Sequence, residues 1–456
     1  MSDARWTAIV LAAGQGTRMR SKTPKVAHPL AGRSILRHVV LAAREAGVAD
    51  VVVVTGENAD AAAVRQAAGE GVRFATQAEP LGTGHAVACA REAAANAEHI
   101  LILNGDVPLV LPSTLRRLMA ALDEADLALL TAEVPLEEYG VLELAGSRVV
   151  NILETKAMEG VDRSERRPIN SGQYAVRAPW LWARLPRITP APNGERYLTQ
   201  LAAMAHDEGN GAIAVMAEEP DEVRGINDRV QLAEAEATMR GRIRRRHMLA
   251  GVTIADPATA YIDADVTIGE DTTIGPNSYL EGSTAVGPDC VIGPGTVLRD
   301  ARIGARCEIR FSMVEESTIE DGVDVGPYSH IRPGSYICED VHIGNYAEVK
   351  GARLGRRTKM GHFSYIGDAE VGDDVNIGAG TITANFDGVN KNRTVIGDGA
   401  FIGSDTMLVA PVRVGKGART AAGSVVNRDV PDGMIAIGAP ARLRSAKEEE
   451  DPPTGR

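Results

Sequence analysis

The stretch LAAGQGTRMRSKTPK, from Leu11 to Lys25, sets two glycines among two arginines and two lysines directly after an apolar run. Backbone N–H groups at Gly14 and Gly16 can approach a phosphate with no Cβ in the way. Arg18 can fork onto phosphate oxygens, and Lys25 can deliver a compact positive charge. The opening Gly14-Gln15-Gly16 is like that of a dinucleotide fingerprint, but Met19 stands where the third glycine belongs. No GK[ST] follows, so it is not a P-loop either. By itself a GxG is a tight turn; with these cations beside it, the expected ligand is a polyphosphate, foremost a nucleoside triphosphate. A second set lies far downstream: His362, in MGHFSYIGDAEVG, with Arg332, Lys350, Tyr365, Asn376, Asn385 and Lys391. A lone histidine is more often a surface or structural residue. In this company an imidazole can take a proton from an attacking amine, and the three cations suit a sugar phosphate.

The first set sits where strand-like and helical patterns alternate. Apolar runs at TAIVLAA, Asp50–Gly56, His99–Asp106, ADLALLTAEV and GAIAVMAEE read as strands. SILRHVVLAAREAG has apolar residues at Ile35, Leu36, Val39, Val40 and Ala43, a helical spacing closed by Gly47. Such alternation predicts an α/β, Rossmann-like, mainly parallel sheet, with ligands at the carboxyl ends of strands, where LAAG and NGD fall. VQLAEAEATMRGRIRRRHML then reads as a solvated connecting helix, its arginines crowded into 240–246.

The second set sits in a different texture. From Tyr261 onward apolar residues recur every six: Ile262, Ile268, Ile274, Leu280, Val286, Ile292, Leu298. After a slip the series resumes at Ile319 and runs through Val325, Ile331, Ile337, Ile343 and Val349, and later segments repeat it as far as Val414. Neither 3.6 nor 2 explains this period. A coil of three short strands does, with one aliphatic side chain per hexapeptide pointing inward and small residues at the corners. The prediction is a parallel β-helix of hexapeptide repeats. Coils stack at strand spacing, so residues tens of positions apart can meet on one wall. ANFDGVNKNRT, residues 384–394, interrupts the period and reads as a loop thrown outward.

Composition narrows the class. The chain has 456 residues, 48 of them glycine, only 4% aromatics and a formal charge of -12, which argues against nucleic acid as a main partner. Four scattered cysteines without a CxxC read as reduced thiols, not a disulfide frame or zinc site. There is no signal-peptide h-region and no run of membrane-spanning length, so a soluble, cytoplasmic protein is expected.

LAAGQGTRM…PK, QAEPLGTGHA, NGDVPL, Glu154, Asn170-Ser-Gly and GIND, in that order and followed by hexapeptide repeats, resemble the bifunctional N-acetylglucosamine-1-phosphate uridyltransferase/glucosamine-1-phosphate N-acetyltransferase family. The resemblance implies a pyrophosphorylase (uridyltransferase) domain over 1–229 and a linker helix over 230–250. It further implies a left-handed β-helix acetyltransferase domain over 251–444, after which the charged tail SAKEEEDPPTGR, 445–456, reads as disordered from its composition. It implies that Leu11, Ala12, Ala13 and Gly14, with Gln77, Gly82 and Thr83, hold the uridine part of UTP. Asn104-Gly105-Asp106 would continue that wall, Asp106 and Asn227 would ligate Mg²⁺, and Lys25 and Arg18 would stabilise the phosphates. Gly140, Glu154, Asn170 and Thr199 would position the N-acetylhexosamine. In the solenoid the resemblance makes His362 the base and the remaining six residues of its set the sugar-phosphate site. Acetyl-CoA would lie along Ala379, Asn385, Phe386, Ser404 and Ala422, in a homotrimer.

Some positions depart from the family pattern. Ala439 replaces an arginine near the coenzyme site, with Arg442 nearby in sequence. Val141 follows Tyr139-Gly140, Phe386 replaces a tyrosine, Gln200 an aspartate, Arg196 a tyrosine, and Asn104 another tyrosine. Two other readings stay open on residues alone: a single-activity sugar-1-phosphate nucleotidyltransferase with a structural or regulatory β-helix, and a non-enzymatic scaffold or exchange-factor subunit.

Overall fold

The computed structural model describes residues 5–445 except 15, 58–59, 137–138, 154–161, 163 and 210. The chain forms two compact units, Met1–Met239 and Arg240–Arg456. The expected tail falls, Ser445 apart, outside the described residues.

In the first unit TAIVL forms the strand Trp6–Leu11, with Ala8, Ile9 and Val10 fully buried. Asp50–Gly56 and His99–Asn104 pair with it in parallel on either side. Strands covered on both faces need apolar side chains at every position, which is why these read as unbroken aliphatic runs. Arg73–Gln77 extends the sheet in parallel beyond Asp50–Gly56. Helix Ile35–Glu45 packs Leu36, Val39, Val40 and Ala43 into the core, and its first turn is capped by Ser34 Oγ, which accepts from Arg37 N at 3.0 Å.

The other flank of this nine-stranded sheet is mixed. Tyr174–Arg177 inserts antiparallel between His99–Asn104 and Leu127–Thr131, while Ala212–Met216 runs parallel to the latter. The hairpin of Val141–Ala145 and Arg148–Leu153 closes the edge. These antiparallel members carried no clear sequence signal: Tyr174–Arg177 is four residues long, and Val141–Ala145 buries only its first two.

In the second unit three faces of 12, 10 and 9 short strands coil around one core, giving a left-handed parallel β-helix. Its inward ladder on the first face includes Ile274, Ile292, Ile309, Val325, Ile343 and Met360, each directly over the next. Every predicted hexad residue quoted above is buried except the half-buried Ile268. The apparent slip is filled by Ile303, Ile309 and Val314, all buried, with shortened corners between them. Where an aliphatic residue is missing, fully buried Thr383 takes the place, and its Oγ1 accepts from Gly367 N at 2.7 Å. Residues 385–393 leave the coil as predicted, with Val389 82% exposed.

The helix Arg229–Leu249 differs from the expectation of a solvated face. Arg240 pairs with Asp263 at 3.1 Å and lies over the Tyr261 ring, and Arg244 and Arg246 donate to the carbonyls of Ala260 and Ala264. The arginines thus cap the first coil, whose last carbonyls need donors. His247 beside them is 6% exposed.

Candidate active sites

Strand geometry sets the first site. Leu11 pairs with Val54 on one side and Asn104 on the other, so neighbouring strands end together and their loops diverge at one edge. An open cleft of about 920 Å³ is walled there by Leu11, Ala12, Ala13, Gly14, Lys25, Gln77, Gly82, Thr83, Asn104 and Asp106. A continuous second cleft of about 930 Å³ adds Gly140, Asn170, Thr199 and Asn227. Every residue assigned to this site from sequence is therefore a wall residue except three. Glu154 lies outside the described residues. Gly105 packs beneath the wall, donating its N–H to Leu11 O at 2.9 Å. Arg18 is exposed on the single turn Thr17–Met19. Met19, which breaks the dinucleotide fingerprint, is a core residue at 2% exposure.

Lys25, Asp106 and Asn227 come from three distant segments and meet. Lys25 Nζ donates to Asp106 Oδ2 and, at 3.1 Å, to Asn227 Oδ1. Ile226 N donates to Asp106 O at 2.9 Å, so the backbone itself fastens the GIND segment to NGD. Gly16 has φ +59, and a Cβ there would stand 2.6 Å from Lys25 Cβ. Glycine is thus required for the lysine stem to pass. Gly82, at φ +92, touches the Arg196 backbone in the same way, with a would-be Cβ 2.7 Å from Arg196 N. Gln77 Nε2 donates to Gly82 O at 3.1 Å, and Thr83 Oγ1 accepts from Leu198 N at 3.1 Å. Asn170 N donates to Gly140 O at 2.8 Å, which joins the hexosamine candidates directly.

Three of the departures have local structural partners. Asn104 Nδ2 donates to Ser171 O at 3.3 Å and lies over Gly172, whose missing side chain makes room for it. Arg196 contributes backbone, accepting from Gly84 N at 2.8 Å. Gln200 turns to Thr189, donating to its carbonyl at 2.8 Å. Sequence reasoning missed Tyr139, Glu195 and Tyr197 as wall residues. They lie in irregular segments with no periodic signal.

The second site is an open wall on the ten-stranded face of the solenoid. Arg332 pairs in register with Lys350, and Glu348 with Tyr365 on the next coil. Asn385 Nδ2 donates to Asp368 Oδ2 at 2.5 Å and to Tyr365 Oη at 3.4 Å. Lys391 neighbours Lys350, whose ammonium holds the Lys391 pKa below the ordinary lysine value. Arg332, Lys350, Tyr365, Asn385 and Lys391 are thus brought together. Two carboxylates not singled out from sequence hold them: Glu348, which accepts from Arg332 at 2.7 Å, and Asp368.

Asn376 does not join this wall. It pairs with Lys359 and Phe401 on the twelve-stranded face, because a coil of about 18 residues assigns each position to one of three faces. His362 is exposed on the corner between Lys359–Met360 and Ser364–Gly367, at the start of the strand that carries Tyr365. The next rungs of that corner are Ala379, Ser404 and Ala422. Gly380 N donates to Phe363 O at 2.7 Å, Asp405 N to Ala379 O at 2.7 Å, and Gly423 N to Ser404 O at 2.8 Å. Residues up to 60 positions apart therefore form one edge leading away from His362. Phe386, 62% exposed, projects from the outward loop.

Fold and sites together define a sugar-nucleotide type of transferase with a hexapeptide solenoid. Residues 8–223 match the family described as MobA-like NTP transferase domain, and residues 265–300 and 393–428 match bacterial transferase hexapeptide (six repeats). The chain is 47% identical to the bifunctional protein GlmU of Lactococcus lactis subsp. lactis over 94% of its own length and 95% of the relative's. Identity to the namesake from Pelobacter propionicus is 47% over the same shares, and to that from Brevibacillus brevis 45% over 94% of both chains. The chain belongs to the bifunctional GlmU family. Among the described residues no helix is long and apolar enough to cross a membrane.

Proposed function

We propose that the chain acetylates glucosamine-1-phosphate from acetyl-CoA in its solenoid. It then transfers a uridylyl group from UTP to N-acetylglucosamine-1-phosphate in the amino-terminal cleft, giving UDP-N-acetylglucosamine and pyrophosphate. The observation that carries the reading is the convergence of Lys25, Asp106 and Asn227 beside the glycine loop.

In the cleft, Leu11–Gly14, Gln77, Gly82 and Thr83 take the uridine end, and Gly140, Asn170 and Thr199, with Glu154, the hexosamine. The sugar phosphate arrives ionised, so no general base is needed. The protein aligns two anions that repel each other and neutralises charge as the bond to pyrophosphate breaks. Lys25 and Arg18 supply positive charge for the phosphates. Asp106 and Asn227 suit Mg²⁺: both oxygens already face one cation, the Lys25 ammonium, and hard oxygen donors in an open cleft leave room for water ligands. Bound there, Mg²⁺ would supply Lewis-acid neutralisation of the phosphate oxygens.

In the solenoid, Arg332, Lys350 and Lys391 bind the phosphate of glucosamine-1-phosphate, and Tyr365 and Asn385 orient the sugar. The amine nitrogen bonds to the thioester carbon, His362 accepts the amine proton, and the C–S bond breaks to release coenzyme A as a thiolate, which takes that proton to become the thiol. The edge of Ala379, Ser404 and Ala422 gives the coenzyme a small-residue track, with Phe386 at its side. Asn376 lies on a different face from Arg332 and Lys350, so a sugar site that used all three would be completed by a neighbouring solenoid, an arrangement a homotrimer supplies. Acetyl-CoA and UTP as substrates support a cytoplasmic location.

Incubating the full chain with acetyl-CoA, glucosamine-1-phosphate, UTP and Mg²⁺ tests the reading. Formation of UDP-N-acetylglucosamine and pyrophosphate is expected, and absence of either half-reaction removes the corresponding site. Light scattering at micromolar concentration tests the trimer.

A further inference from the structure

We infer that Lys25 is a tethered stand-in for the divalent cation: its ammonium holds Asp106 and Asn227 together and yields them when it moves to the nucleotide's phosphates. This rests on the assignment of those two residues to the metal.

The geometry makes the two cations mutually exclusive. Lys25 Nζ touches Asp106 Oδ2 and lies 3.1 Å from Asn227 Oδ1, which are the oxygens a metal would use. A Mg²⁺ ion bonds oxygen at about 2.1 Å, so an ion held by both oxygens from the Lys25 side would overlap the ammonium. Like charges at that separation repel strongly wherever water is partly excluded. The Lys25 and Asp106 side chains are only 13% and 23% exposed. The ammonium nevertheless has somewhere to go. Lys25 also walls the cleft with Gly14, Gln77 and Gly82, and its stem passes over Gly16, which has no side chain to block it. A flexible four-carbon stem can swing from the carboxylate to a phosphate without backbone motion.

Two consequences follow. Metal alone must displace an internal cation that gains no new partner, so it binds weakly. With the triphosphate present, the ammonium gains a partner and the metal gains its oxygens, so metal and nucleotide favour each other reciprocally. If the ammonium fills the position in about nine molecules of ten, apparent metal affinity falls about tenfold.

The test is calorimetric Mn²⁺ binding to the full chain without nucleotide. Lys25→Met is expected to bind Mn²⁺ about tenfold more tightly than the wild type. Lys25→Gln should do the same, which covers the case in which methionine disturbs the cleft. Lys25→Arg, which keeps the charge, should remain as weak as wild type. If the neutral variants fold and bind Mn²⁺ no more tightly, while Mn²⁺ binding with UTP still depends on Asp106, the stand-in role is overturned and the metal assignment survives. If Asp106→Asn leaves Mn²⁺ binding unchanged both with and without UTP, the metal assignment fails and takes this inference with it.

Discussion

The amino-terminal cleft gathers loops that leave a sheet at one edge, whereas the solenoid wall gathers strand residues that recur at one position of successive coils. The cleft needs long-range fastening, such as Ile226 N on Asp106 O and Leu198 N on Thr83 Oγ1. The wall needs only register: Arg332 stands beside Lys350, and Glu348 beside Tyr365, because the coil repeats. Loop construction yields walled depth for a nucleotide. Coil construction yields an open surface that another surface can complete.

If the two sites are as separate as their construction, single substitutions should split the activities. His362→Ala should reduce acetyl transfer by about 10²–10⁴-fold, the usual worth of a general base. Uridylyl transfer should stay within about twofold, as expected of independent sites. Loss of both activities in a folded variant would break the comparison. The converse is Asp106→Asn, expected to lower pyrophosphate release by about 10²–10³-fold while thiol release from acetyl-CoA is unchanged.

A third expectation concerns stability of the second unit. Burial first, and Arg246 second, push the His247 pKa from 6.5 down to about 4. Because the folded value is depressed, only the unfolded chain takes up the proton between those values. Stability is therefore complete above about pH 6.5 and falls as pH drops toward 4, by about 3 kcal/mol in all. Urea midpoints measured across that range should fall for the wild type and stay flatter for His247→Gln, relative to its own value at neutral pH. The smallest effect is expected at the wall's outer cation. Lys391→Met should raise KM for glucosamine-1-phosphate about tenfold with kcat nearly unchanged, the signature of a lost charge-assisted contact. A loss in kcat instead would place Lys391 in the chemistry.

Much of this was legible in residue order. Unbroken aliphatic runs marked the central parallel strands, and the hexad marked the solenoid, because in both cases burial is dictated by a short repeat. The glycine loop, NGD and GIND marked the cleft. The antiparallel flank was not legible, since Tyr174–Arg177 and Val141–Ala145 are short or half-exposed and gain their order from neighbours. Nor were Glu348 and Asp368, whose significance lies in whom they touch, nor the separation of Asn376 from the other sugar-phosphate candidates.

The sequence by itself determined which side chains must be buried and where the chain can approach phosphate closely, because hydrophobic periodicity and glycine are local properties. Its motifs also pointed to a nucleotide in the amino-terminal half, because glycine and cations close in sequence are a local signature of phosphate binding. Only the tertiary structure decided that Lys25 sits on the oxygens of Asp106 and Asn227, and that Ala379, Ser404 and Ala422 share one edge with His362's corner. Those facts depend on strand register and coil length summed over tens to hundreds of residues, and a one-residue change in either would carry each side chain to a different face.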